Sequence, residues 1–166
     1  MTDLTPLREA AQMLISVCTA KGAMVATAES CTGGLVAGIL TEIAGSSAVL
    51  DRGFVTYSNE AKNEMIGVPM DLIKNHGAVS EPVAKAMAEG ALARSRADVT
   101  VSITGIAGPG GGSDEKPVGL VHFAAMTRTG HSEHREVRFG DIGREQVRLK
   151  SVETALDLLT KATERL

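Results

Sequence analysis

Ser30 is the residue whose neighbours best suit it to act as a nucleophile. It stands in Thr27-Ala28-Glu29-Ser30-Cys31-Thr32-Gly33-Gly34. An apolar run, Ala23-Met24-Val25-Ala26, enters this stretch, and a helical pattern through Leu35, Val36, Ile39, Leu40 and Ile43 leaves it. That order places a serine at a strand-to-helix turn, its Oγ beside the unpaired amides that open a helix. Such amides attract anions and can hold a developing oxyanion. The plainer reading is an N-cap followed by glycines chosen for close packing. Cys31 is a rival nucleophile at the same helix mouth, where a thiolate would be favoured. A lone cysteine more often ends as a buried structural thiol. Glu29 could bind a cationic or hydroxyl-bearing ligand, or pair with an arginine.

A serine nucleophile needs a base. None of the four histidines, His76, His122, His131 and His134, follows the carboxyl end of a strand as a triad histidine would. Lys62 is the better candidate. With Asn59 as cap, it takes the third position of a helix that opens directly after the second strand. The positive end of the helix dipole and partial burial both disfavour its ammonium form, pushing the pKa towards what a general base needs. A solvated surface lysine is the plain alternative.

Three further features could bind a ligand. The glycine-rich run 105–113 offers main-chain amides to an anion or carbonyl oxygen, without the Gly-Lys-Ser/Thr of a P-loop. Arg144 and Arg148, one turn apart on the last helix, could clamp a phosphate or simply be solvated. Tyr57, the only tyrosine, is the obvious residue to stack on or hydrogen-bond a heterocycle.

The elements that must position these residues follow from periodicity and turn signals. Thr5-Pro6 opens a first helix that Lys21-Gly22 stops. Strands are expected over 23–27, 52–57, 98–104, 118–126 and 133–139. Short helices are expected after Asn59 and over 70–75, another from Ser80-Glu81-Pro82, and a long C-terminal one capped by Asp141. This order predicts an α/β fold: a three-layer α/β/α domain over 1–166 with a mixed, mainly parallel central sheet whose last hairpin is antiparallel. Ligands collect beyond the carboxyl ends of such strands. Three of those ends carry unusual polar residues: Glu29-Ser30, Tyr57-Ser58-Asn59 and Thr104-Gly105.

Composition narrows the class. The chain is 43% hydrophobic but only 2% aromatic, so its core must be built from Ala, Val, Ile, Leu and Met. A net charge of −3 argues against a nucleic-acid surface. No apolar run reaches the roughly 20 residues of a membrane helix. The N-terminus has neither basic flank nor apolar signal core, and Cys18 and Cys31 lack metal-ligand spacing, which together suit a cytoplasmic protein with reduced thiols. The Ala-rich helices suit a subunit interface as well as a core, and a homo-oligomer is expected.

With its segments assembled, the chain resembles the CinA C-terminal domain family, and within it the stand-alone nicotinamide-nucleotide amidases. Four stretches carry the resemblance: the Thr27-to-Gly34 turn, Gly53-Phe54-Val55-Thr56-Tyr57-Ser58-Asn59-Glu60-Ala61-Lys62, Gly77-Ala78-Val79-Ser80-Glu81-Pro82-Val83, and Ser102-Ile103-Thr104-Gly105-Ile106-Ala107-Gly108-Pro109-Gly110-Gly111. The last continues through Lys116-Pro117-Val118-Gly119, and the whole spans roughly residues 5 to 160. The resemblance implies hydrolysis of the carboxamide of nicotinamide mononucleotide to nicotinate mononucleotide and ammonia, in pyridine-nucleotide recycling. It implies a Ser/Lys mechanism without metal or cofactor, with Ser30 the nucleophile and Lys62 the general base. Tyr57 and Thr104 match family positions near the site; Glu29, Thr32, Gly33, Gly34, Gly105 and Arg144 complete the candidate substrate contacts. Longer members carry an extra nucleotide-processing domain, for which this chain has no room.

Two other functions compete. A non-catalytic nucleotide-binding module would use the same glycine loop and arginines but need no lysine of lowered pKa. A DNA-associated competence factor is disfavoured by the acidic balance and by the lack of a basic, aromatic-interleaved surface.

Overall fold

The strand with the clearest sequence signal lies at the centre of the sheet. The computed structural model describes residues 1–166. A short 3-10 turn, Thr5–Leu7, leads into α1 (Arg8–Lys21), followed by β1 (Val25–Glu29) and α2 (Leu35–Thr41). Next come β2 (Leu50–Val55), α3 (Asn59–Ile66), α4 (Met70–His76) and α5 (Glu81–Ala93). The chain closes with β3 (Val99–Gly105), β4 (Leu120–Thr127), β5 (Ser132–Arg138) and α6 (Arg144–Glu164). The sheet order is β2-β1-β3-β4-β5. β1 pairs parallel with β2 and β3, while β4 is antiparallel to both its neighbours. β4 alone therefore runs against the rest, as the expected mixed sheet requires.

Helices cover both faces. Val99, Val101 and Ile103 of β3 point into a core shared with α1, α2 and α6. On the other face a smaller core gathers Ala28 with Ile66 of α3, Ile73 of α4 and Val83, Met87 and Ala91 of α5. The alternation of β3 looks like a half-exposed strand, yet Thr100, Ser102 and Thr104 are buried too. Their hydroxyls donate to carbonyls on the α5 side: Thr100 to Ala88 (2.8 Å), Ser102 to Ala84 (2.5 Å) and Thr104 to Ala78 (2.9 Å). Satisfied in this way, the hydroxyls are not costly to bury. Small residues on α5 let the helix come close enough for these bonds, and the last of them ties the turn before α5 to the carboxyl end of β3.

Several helix starts differ from expectation. Ser58, not Asn59, caps α3, its Oγ accepting from Ala61 N at 3.0 Å. Gly143, not Asp141, precedes α6, which starts two residues later than the sequence suggests. β1 extends to Glu29 because β2 and β3 both hydrogen-bond it along its length. No helix is long and apolar enough to cross a membrane.

Candidate active site

Ser30 is the first residue beyond β1, and its N–H still donates to Ile103 O on β3 at 2.9 Å. The sheet thus holds its backbone one residue past the strand. Residues 31–34 then form a turn, closed by Gly33 N donating to Ser30 O at 3.0 Å. Gly33 and Gly34 have φ of 59° and 102°, values that glycine adopts without strain. Gly34 is the N-cap of α2 and offers no side chain to the helix. Ser30 lies too far ahead of α2 to cap it.

Glu29 performs the capping instead. Its carboxylate is fully buried. Oε1 accepts from Val36 N (2.9 Å) and Thr32 Oγ1 (2.7 Å), and Oε2 from Ala37 N (3.0 Å) and Thr27 Oγ1 (3.1 Å). Negative charge is favoured at a helix N-terminus, and four donors fill the carboxylate's acceptor sites. This corrects two expectations. Glu29 faces the protein rather than a ligand, and at the helix mouth expected to hold an oxyanion the amides of Val36 and Ala37 are already occupied. Thr32, Gly33 and Gly34 likewise stay out of the cavity wall described below.

With Ser58 as cap, Lys62 is the fourth residue of α3 rather than the third. Its side chain is among the most buried in the protein, at 1% exposure. α3 can lie this close to α5 because Gly90 of α5 sits directly against the carbonyl of Ile66, where any Cβ would collide with that oxygen. Lys62 Nζ is 3.1 Å from Ser30 Oγ, 3.0 Å from Thr56 O and 3.2 Å from Tyr57 O. All three partners are neutral oxygens, so burial is not offset by a carboxylate and holds the Lys62 pKa below its ordinary value. The geometry serves both protonation states. An ammonium donates to all three oxygens; a neutral amine donates to the two carbonyls and turns its lone pair to the Ser30 hydroxyl.

Ser30 and Lys62 open into a cavity of about 280 Å³. Tyr57 and Asn59 form one wall, Ala78 and Val79 a second, Thr104 and residues 105–108 a third, with Gly110, Gly111 and Arg144 at the rim. The amides of Gly108, Gly110 and Gly111 have no protein acceptor. Arg144 donates to Gly108 O (2.8 Å) and to Tyr57 Oη (3.1 Å), which leaves further N–H groups at the rim. Arg148 does not reach the cavity: its Nε donates to Cys31 O at 3.1 Å and its Nη2 to Thr32 O at 3.4 Å. The sequence left both arginines as either phosphate clamps or solvated charges; of the two, only Arg144 lines the cavity.

Of the remaining candidates, Cys31 also lines the cavity but is buried. Burial pushes the Cys31 thiol up to about 12, which keeps it a thiol at neutral pH. His122 Nδ1 lies 2.9 Å from His134 Nε2 and the two rings stack on each other, and neither lines the Ser30 cavity. Asn59, Ala78 and Val79 are wall residues not singled out as such in the sequence, and Ile106 and Ala107 were marked there only as part of the run 105–113. Asn59 looked like a cap, a role Ser58 could equally have filled. The others carry no distinctive chemistry, and only the long motifs around them marked their segments.

Among known proteins, the CinA C-terminal domain family matches residues 7–163. The nicotinamide-nucleotide amidohydrolase PncC of Escherichia coli (strain K12) is 54% identical over 160 residues, covering 96% of this chain and 95% of that protein. The crystal structure of the competence/damage inducible protein CihA from Agrobacterium tumefaciens superposes with a TM-score of 0.93 at 59% identity, covering 94% of each chain. A CinA superfamily protein from Klebsiella pneumoniae superposes with a TM-score of 0.90 at 36% identity, covering 96% of this chain and 98% of its own.

Proposed function

The chain belongs to the CinA C-terminal domain family, and from that premise we propose that it hydrolyses the carboxamide of nicotinamide mononucleotide, with Ser30 as nucleophile and Lys62 as general base. The observation that carries the chemistry is the 3.1 Å approach of a buried, carboxylate-free lysine amine to a serine hydroxyl at the floor of a cavity. The substrate is supported by the 54% identity to a nicotinamide-nucleotide amidohydrolase over nearly the full length of both chains.

Neutral Lys62 takes the Ser30 proton, and Oγ bonds to the carboxamide carbon to give a tetrahedral oxyanion. Because Glu29 occupies the α2 amides, the glycine-loop amides at the cavity wall are the donors that would hold that oxyanion. Lys62, now an ammonium, passes its proton to the departing nitrogen as the C–N bond breaks, releasing ammonia and leaving an acyl-serine. Water then gives a proton to Lys62 and its oxygen to the acyl carbon; as the C–Oγ bond breaks, Lys62 returns that proton to Ser30 Oγ, freeing nicotinate mononucleotide and restoring both residues. Arg144 would hold the phosphate and Tyr57 would lie along the pyridine ring; Thr104 and Gly105 complete the wall.

Ammonia release from nicotinamide mononucleotide tests the reading. Wild type should turn over, while Ser30→Ala should fall by roughly 10⁴-fold or more and Lys62→Ala by about 10³-fold, both keeping a native fold. Near-normal turnover by Lys62→Ala would remove the dyad. Binding of the nucleotide by wild type without ammonia release would favour a non-catalytic nucleotide-binding module.

A further inference from the structure

We propose that Arg148 is a positioning residue for the nucleophile, holding the carbonyls of the turn that follows Ser30 as Glu29 holds the amides beyond it; the proposal rests on Ser30 being the nucleophile. Residues 31–34 connect a strand end to a helix start and present polar groups of both signs. Glu29 takes the amides of Val36 and Ala37 from within. Arg148 takes the carbonyls of Cys31 and Thr32, the first two residues after Ser30, with the two nitrogens of one guanidinium edge. A planar fork fixes two acceptors in relation to each other, which a point charge cannot do. The fork stands on α6, whose neighbouring residues Val147 and Val152 are buried in the main core, so its base is rigid. Its Nη2 lies 3.6 Å from where a Cβ on Gly33 would stand, so the guanidinium lies directly over this part of the turn.

Without the fork, the turn keeps Gly33 N to Ser30 O, Leu35 N to Thr32 O and the Thr32 hydroxyl to Glu29, but nothing holds the carbonyl of Cys31. Ser30 Oγ would then hold its 3.1 Å relation to Lys62 Nζ less firmly. Misplacement of a reacting atom by about 1 Å costs about 10²-fold in rate. Of the residues lining the cavity Arg148 touches only Cys31, next to the nucleophile, so its loss should fall mainly on kcat and spare KM.

The test is steady-state ammonia release from nicotinamide mononucleotide by Arg148→Met and Arg148→Lys, with Ser30→Ala and Arg144→Met beside them and a thermal melt on each. Arg148→Met should lose about 10- to 10²-fold in kcat with KM within about twofold, and Arg148→Lys should recover part of the loss. Arg144→Met should instead raise KM. A raised KM in Arg148→Met at unchanged kcat would make Arg148 a substrate clamp and overturn the proposal. A lower melting temperature with kcat unchanged would make it merely structural, which also overturns it. If Arg148→Met does not fold, the decision passes to Arg148→Lys: reduced kcat at normal KM supports positioning, and wild-type kcat overturns it. Turnover by Ser30→Ala at the wild-type rate would instead sink the nucleophile assignment itself.

Discussion

Glu29 and Lys62 are both ionisable, both essentially excluded from water, and both close to Ser30, yet they do opposite things. Glu29 accepts from four donors, two per oxygen, and two of those donors are backbone amides that cannot turn away. Lys62 has two fixed carbonyl partners and a third that is a hydroxyl at the cavity. A buried charge whose partners all belong to the surrounding protein, two of them backbone amides, serves structure. A buried charge whose last partner is a hydroxyl exposed to a ligand can pass a proton and serves chemistry. Burial and charge alone would not have separated the two residues; the kind of partner does.

Replacing each residue by a near-isostere sharpens that contrast. Lys62→Met should cost about 10³-fold in turnover while leaving the melting temperature close to wild type, since removing a buried amine also removes its desolvation cost. Glu29→Gln should do the reverse. Its NH₂ must face either Val36 N–H or Ala37 N–H, donor against donor, with a loss of about 2 kcal/mol in urea unfolding. A threonine hydroxyl can rotate to relieve its side of the clash, but a backbone amide cannot. If Lys62→Met proved the less stable of the two variants, the division between structural and chemical charge would fail.

The pH dependence should follow Lys62. The base must be neutral, so kcat should rise as pH is raised through a pKa held by burial below the usual lysine value of about 10.4. Stability has the same sign. Between the lowered folded pKa and the unfolded one, the unfolded chain binds the proton more tightly. Raising the pH across that window therefore stabilises the native state, and the gain is lost as pH falls through the folded pKa. Melting curves of wild type and Lys62→Met at neutral and alkaline pH should show wild type gaining relative to the variant. A constant difference would mean that Lys62 does not titrate anew on folding.

The smallest effect is expected at Cys31. Its thiol, pushed up to about 12 by burial, contributes no thiolate at neutral pH, so Cys31→Ala should retain turnover within about threefold. Complete loss of activity in that variant would transfer the nucleophile from Ser30 to its neighbour.

Much of the fold was legible because the patterns are local. The alternation of Val and Thr along β3, the glycine stop after α1 at Lys21-Gly22 and the Ser80-Glu81-Pro82 helix start each depend on a few adjacent residues, and the elements stand where those residues put them. Errors cluster where two adjacent residues could do the same job. Ser58 and Asn59 are both good caps, and only the packing of α3 decides that Ser58 serves and Asn59 faces the cavity. The burial of Thr100, Ser102 and Thr104 could not be read from alternation, because the acceptors that make it tolerable lie on another element.

What the sequence determined by itself is the set of parts: a serine at a strand-to-helix turn, a lysine in the first turns of a helix after the next strand, a glycine-rich run, and two arginines one turn apart. These follow from residue type and short-range spacing. Tertiary structure alone decided the allocation. It turned Glu29 inward to cap α2, tied up the amides of Val36 and Ala37, brought Lys62 Nζ to 3.1 Å from Ser30 Oγ, and sent Arg144 to the cavity and Arg148 to the turn. The physical reason is that a hydrogen-bonding group is defined by the partner that satisfies it. In this chain the decisive partners are brought together by the sheet and by α6, not by neighbours along the sequence.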